Sequence, residues 1–365
     1  MKKVLMLLAV SFPGFAEEVA AQDSTQPGQL VLTGSLDGYY RYNFQHAGDA
    51  GHTNNLTSFT NTQNALGLGM ASLKAEYTSG KTGAVVDLGW GPRAEDFSYN
   101  DHGTLASVKQ AYLFYRVLPW LKMTAGKWFT PVGYEVPDAY NNRNYSMAYL
   151  FTYGPFFHTG IKADMHFSAQ WEALAGICGP TDYTTASLTK PFLVVQLHRS
   201  SPDTRTQAYL NYLGGKELTG ASVHQEDLVV STLLSGQVSL GANVSVKTAR
   251  SPGPGARSWW GTALYITYDP VDALGVTLRA EYFDDSGKLA GLGTRVGALT
   301  LSGNIHLGPL TLIPEIRMDQ AAQPVFFGNK DQQLPSRKTT GTVLLAMVYH
   351  LTCHGKPGEP FKELR

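Results

Sequence analysis

Strict two-residue alternation, sustained for about ten to fifteen residues at a stretch, is the feature that most constrains this chain. In LVLTGSLDGYYRYNF (30–44) every even position is apolar or glycine, and the odd positions carry Asp37 and Arg41. The same pattern recurs around 158–167, 239–247, 274–282, 299–307 and 310–319. A strand with that period has one greasy face and one wet face. Soluble strands peak at about five or six residues, whereas a tilted strand needs roughly nine to eleven to cross a bilayer. No stretch of comparable length has helical spacing, so the expected fold is all-β.

The connections alternate in length as well. Short links are expected near 78–81, 118–119, 167–169, 200–204, 235–237, 269–272 and 308–309. Long ones are expected near 45–62, 92–106, 129–157, 178–190, 214–226, 249–256, 285–294 and 320–337. This is the signature of an up-and-down antiparallel transmembrane barrel with short periplasmic turns and long extracellular loops. The count comes to about sixteen strands, although the strands near 65–77 and 107–117 alternate poorly. Aromatic residues at strand ends (Tyr40, Tyr42, Phe44, Trp260, Tyr268, Tyr282) match the two interfacial girdles of such barrels.

The first residues read as a processing segment. Lys2 and Lys3 precede the apolar run 4–10, and Val19-Ala20-Ala21 supplies small residues for cleavage. Residues 1–21 are therefore expected to be a signal peptide, 22–351 the barrel, and 352–365 a polar periplasmic tail. Cys178 and Cys353 fall at opposite ends of the barrel, too far apart to bridge. With 29 basic and 29 acidic residues the chain is neutral, which gives nucleic acid no basic surface to meet.

Signals for catalysis are weak. Ser79-Gly80-Lys81-Thr82 resembles the end of a phosphate loop, but Ala75 stands where the leading glycine belongs and the stretch falls in a hairpin turn. There is no HExxH or GxSxG, and the histidines are scattered. No catalytic residue, cofactor or metal site is expected. The wet face is the stronger constellation: Asp37, Arg41, Lys162, Asp164, Arg279, Glu281, Glu315 and Arg317 all take inward positions. So many ions would be prohibitive in a dry core, but a sixteen-stranded barrel is wide enough for water. Two readings stay open for these charges: they pair and stiffen the wall, or some line the pore and set its selectivity. The segment 129–157 carries Pro131, Tyr134, Glu135, Pro137, Asp138 and Arg143 among many aromatic residues. Its prolines exclude a central strand. Folding inward would bury its rings and narrow the lumen, with Pro131, Tyr134, Glu135, Asp138 and Arg143 at the constriction. Packing on itself outside the barrel is the alternative.

The run GKWFTPVGYE (126–135), FFHTGIK (156–162), VKQAYLFYR (108–116) and the opening LTGSLDGYYRYNF together resemble the β-barrel porin-2 (OmpL-like) family of Bacteroidetes-type Gram-negative bacteria. The resemblance implies an outer-membrane barrel that forms a pore, and it brings neither a substrate nor catalytic residues; the charged inward faces point to passive diffusion of small hydrophilic solutes through a lumen narrowed by 129–157. Such a protein would contact outer-membrane lipid and lipopolysaccharide, be inserted by barrel-assembly machinery, and could form a homotrimer. A closed barrel acting as adhesin or assembly partner, or a barrel hydrolase, are the alternatives. The sequence departs from such barrels at its end: the last strand (342–351) precedes a polar tail, which leaves Tyr349 as the insertion signal.

Overall fold

A computed structural model describes residues 28–47, 51–187, 189–253, 255–331, 333–355 and 362–363. The expected signal peptide lies outside the described residues. The chain forms β1 (Gln29–Asn43), β2 (Ala65–Ser79), β3 (Thr82–Trp90), β4 (Val108–Leu118), β5 (Leu121–Phe129), β6 (Phe157–His166), β7 (Trp171–Cys178) and β8 (Phe192–Ser200). It continues through β9 (Thr206–Lys216), β10 (Ser222–Leu233), β11 (Val238–Arg250), β12 (Ala256–Val271), β13 (Leu274–Asp284), β14 (Arg295–Leu307), β15 (Leu310–Ala321) and β16 (Thr339–Gly355). Each strand pairs antiparallel with the next, and β1 pairs with β16 from Leu30↔Gly355 to Asn43↔Thr342. The sixteen strands therefore close on themselves. Closure is what hydrocarbon demands, because an open edge would leave unpaired peptide groups in a medium that offers them no partner.

The turns and loops divide as the alternation of link lengths implies. Ser79-Gly80-Lys81-Thr82 is the β2–β3 turn, with Gly80 at φ 54° and the Thr82 hydroxyl donating to the Ser79 carbonyl. The long loops at the opposite end contain short helical pieces, α1 (Pro92–Phe97) and α2 (Tyr149–Tyr153), that strand periodicity gives no sign of.

Leu264, Ile266, Leu299, Leu301, Ile316, Leu345 and Met347 are exposed on the outer face, whereas their odd- or even-numbered neighbours Ala263, Thr300, Ser302, Glu315, Arg317, Leu344 and Ala346 are buried inside. Exposed Trp90 and Trp260 mark one rim, and Tyr77, Tyr115, Trp120, Trp171, Tyr268 and Tyr349 mark the other. Two aromatic rings separated by an aliphatic band are the outline of a membrane belt.

The two poorly alternating strands have a physical cause. Opposite Asp37, β2 carries an extra residue, and the register shifts between Leu36 and Gly38. The outward set consequently changes phase, from Leu66 and Leu68 to Leu73 and Tyr77. Gly69 sits at this bulge, where a Cβ would collide with an Asp37 carboxylate oxygen. A second shift falls between Asp87 and Leu88 opposite β4, and it leaves Lys109 and Gln110 both buried. The chain end also differs from expectation. β16 continues past Leu351 to Gly355, and Lys362–Glu363 pairs with His354 and Cys353, so 352–355 is barrel wall and not tail. The ladder with β1 extends that far and carries the strand along with it. Cys178 and Cys353 are both free thiols.

Leu264 lies midway between Trp260 and Tyr268 on the outer face of β12. Leu264→Arg should cost about 2–4 kcal/mol in reversible folding into lipid vesicles, the range for arginine at the bilayer midplane. A loss well below that would place Leu264 outside the hydrocarbon band.

Candidate functional site

The interior is organised around the segment between β5 and β6. Its ends are fixed by strand pairing, Phe129 to Phe157. Its middle is bonded to strands half the ring away. Peptide N–H groups of Tyr145 and Ser146 donate to the Glu315 carboxylate at 2.8 and 3.2 Å, and that of Tyr149 donates to Glu281 at 2.7 Å. Glu135, within the segment, takes the N–H of Ala148 at 2.7 Å. The arginines complete the arrangement from the other side. Arg279 donates to the Ser146 carbonyl at 2.7 Å and Arg317 to the Met147 carbonyl at 3.0 Å.

Charge is balanced by the same groups. Arg279 bridges Glu135 at 2.6 Å and Glu281 at 2.8 Å, and Arg317 bridges Asp319 at 2.8 Å and Glu281 at 3.4 Å. Arg279 is 0% exposed. An ion that dry survives only with every donor and lone pair engaged, and this network provides that: Thr300 and the Ser146 hydroxyl take its remaining N–H groups. Tyr145 donates to Asp37, whose carboxylate also lies 3.7 Å from Arg93 of α1.

All eight charged candidates occupy the inward face, but they form no common ring. Asp37, Glu281, Glu315, Arg279 and Arg317 are buried against the 129–157 segment. Arg41 is buried too, spent on the carbonyls of Thr53, Thr62 and Asn54 and on the Thr342 hydroxyl, so it anchors the 43–65 loop. Lys162 and Asp164 pair with each other at 2.9 Å on β6, and Asp164 also pairs with Lys122 at 3.2 Å. Ion pairs involve six of the eight, all but Arg41 and Glu315; three run along one strand, Lys162–Asp164, Arg279–Glu281 and Arg317–Asp319, and of the pairs described for these residues Lys122–Asp164 joins neighbouring strands.

The five candidates within the segment touch widely spaced parts of the wall. The Pro131 carbonyl accepts from Gln196 on β8. Tyr134 stacks on Tyr265 with ring centroids 4.2 Å apart, over Gly241, where a Cβ would meet the tyrosine ring at 2.6 Å. Glu135 reaches β13, Asp138 binds Lys109 on β4, and Arg143 binds Asp269 near the end of β12 at 2.9 Å.

Several residues of this network escaped sequence reasoning. Lys109 and Asp87 sit at the second register shift, 3.0 Å apart, with Gln110 also bonded to Asp87. The local failure of alternation was their only signal. Arg93, fully buried between the rings of Phe59 and Tyr145, belongs to a loop helix with no strand period to expose it. Lys127 pairs with Asp101 at 3.1 Å and lies over the Phe157 ring. Of the histidines, His158 is buried against Thr130, and His166 and His198 share Glu172 at 2.9 and 3.3 Å. Among the described residues no group of three or more His, Cys, Asp or Glu side chains could hold a metal ion.

Asp182, in the loop after β7, fixes the return of the segment by accepting the N–H groups of Phe156 and Phe157 at 2.7 and 3.0 Å. Burial pushes its carboxyl up from 3.8 to about 6, outweighing those hydrogen bonds. Folding therefore takes up a proton between these two values. The group's contribution to stability is full below the lower value and is lost as pH rises through the upper one. The denaturation midpoint in detergent should fall between pH 4 and 6.5 by a component that Asp182→Asn removes; identical pH profiles for the two proteins would refute it.

No curated protein sequence matches the chain. Among solved structures, it resembles an anion-selective porin from Comamonas acidovorans, with TM-score 0.61 and 12% identity over 88% of this chain and 99% of that one. It also resembles the outer-membrane channel DcaP of Acinetobacter baumannii, with TM-score 0.61 and 14% identity over 89% and 97%. OmpT of Vibrio cholerae follows at TM-score 0.56 and 11% identity over 89% and 98%. At these identities the likeness establishes a shared fold. The family described as "Putative beta-barrel porin-2, OmpL-like" matches residues 29–351, nearly the whole closed sheet, and the chain belongs to that family of outer-membrane barrels.

Proposed function

We propose that this barrel is a porin for passive diffusion of small hydrophilic solutes, and that the 129–157 segment lies across the lumen as its constriction. The observation that carries the reading is the capture of four peptide N–H groups, at Tyr145, Ser146, Ala148 and Tyr149, by Glu315, Glu135 and Glu281. A loop packed on the outside of the barrel would have no access to inward carboxylates of β13 and β15. Supporting it, polar groups on the periplasmic side of the segment keep partial exposure, including Glu172 at 33% and Asp269 at 36%. On the extracellular side the loops line an open cavity of about 750 Å³.

Under this reading the lumen charges do two jobs. The buried set (Arg279, Glu281, Glu315, Arg317, Asp37) holds the segment in place and meets no solute. A partly exposed set nearer the periplasm (Lys122, Asp164, Arg143), with Lys162 paired to Asp164, meets the permeating ion and biases its sign. Solute movement needs no energy source and follows its gradient. Lipid and lipopolysaccharide cover the outer face, assembly machinery inserts the barrel, and a homotrimer is the assembly that other sixteen-stranded porins suggest by analogy.

Purified, folded protein in planar bilayers should give stepwise conductance, and folded but silent protein would overturn the reading. Arg279→Met strips Glu135 of its buried counter-ion and leaves Glu281 only Arg317 at 3.4 Å, a loss of about 3–5 kcal/mol for a broken buried pair. Combined with Glu315→Gln, it should unseat the segment, raising single-channel conductance severalfold with frequent flicker. Conductance equal to that of the unaltered protein would remove the segment from the constriction.

A further inference from the structure

The extracellular cavity is built by six separate loops: 43–65, the α1 loop, 129–157, 178–192, the β9–β10 connection and 284–295, together with the upper end of β11 and β12. The end of the 129–157 segment, at Gly154 and Phe156, is part of its lining. At about 750 Å³ it falls within the range, about 300–1,000 Å³, of pockets that hold one small ligand.

Most of its polar groups are already engaged. Asp96 accepts from the Phe59 N–H and the Asn61 amide, and Asp182 accepts from Phe156, Phe157 and the Tyr99 hydroxyl. Two charged groups remain. Lys247 feels the fields of Asp182 and Glu217, and Glu217 that of Lys247, yet neither side chain makes a hydrogen bond or ion pair among the described residues. One is a donor, the other an acceptor, and together they are neutral. The same lining offers two aromatic side chains that reach its surface, Tyr99, 56% exposed and set edge-on to Phe156 with centroids 6.1 Å apart, and the partly buried Tyr153.

We propose that this cavity binds a short neutral oligosaccharide. A sugar hydroxyl both donates and accepts, so one ring edge can satisfy Glu217 and Lys247 together. The C–H face of a pyranose matches an aromatic wall, whose electron-rich face attracts the polarised C–H edge. An anion would meet Glu217, Asp182 and Asp96 against the single Lys247. An organic cation would find two of the three carboxylates already occupied and Lys247 beside the third. That a bound sugar goes on to permeate rests on the porin reading; the binding itself does not.

The test is equilibrium titration of folded full-length protein, in a detergent without a sugar headgroup, with maltotriose, cellotriose and mannotriose. Saturable binding of at least one is expected, weakened about tenfold or more, or 1.4 kcal/mol, by Glu217→Gln and by Tyr99→Ala. Spermidine and citrate, the cationic and anionic probes, should not compete. The heat-induced gel shift reports whether each variant is folded, and Lys247→Met stands in for either that is not. Absence of saturable binding by all three sugars, binding unchanged in the folded variants, or displacement by spermidine or citrate overturns the proposal. In bilayers, sugar added on the extracellular side should lower conductance. Sugar binding by a non-conducting barrel would sink the porin reading and leave the site standing, and conductance without sugar binding would do the reverse.

Discussion

A peptide group in hydrocarbon has no partner except another peptide group, and the molecule follows from that constraint. It forces sixteen strands into one ring, whose last seam joins residues more than three hundred positions apart, Leu30 to Gly355 and onward. A ring that size encloses more space than wall side chains alone can fill. Its interior must then be wetted or filled with chain, and the alternation of the strands makes the inner surface polar enough for either.

The segment between β5 and β6 is bonded to the inward face mainly by charge and peptide hydrogen bonds. Hydrophobic filling would have been the simpler solution for stability, since well-packed apolar groups often match or exceed buried ion pairs. The ionic arrangement does something apolar packing cannot. Carboxylates of β13 and β15 accept main-chain N–H groups, and the arginines between them return a hydrogen bond to main-chain carbonyls, so the position of the backbone itself is specified. Apolar contacts supplement this locally, as where Tyr134 lies in the notch left by Gly241.

Much of this was legible in the sequence. Period-two patterning identified the lipid face, the strand ends and the alternating loop lengths, because those depend on neighbours along the chain. The charged inward positions were legible for the same reason, although Asp319, which pairs with Arg317 two residues away, was not among them. Their actual partners were not. Tyr145, Ser146, Ala148 and Tyr149 bind through N–H groups that every residue but proline owns, so no side chain announces the contact. Lys109 and Asp87 were hidden by a register shift, and Arg93 by a loop helix. Register shifts, loop docking and peptide donors are set by residues distant in sequence, and periodicity is blind to them.

The segment between β5 and β6 has one more consequence, a mechanical one. A hollow ring resists bending poorly, and the soft deformation of a wide barrel is to flatten into an ellipse. Residues 143–149 are tied to β1, β13, β14 and β15, while their flanks are tied to β5 and β6, so the segment is a chord joining two sides of the ring. Flattening along or across that chord must stretch or compress bonds that bury charge. Lateral pressure from the surrounding lipid would thereby act on the hydrogen bonds that hold the segment to the wall.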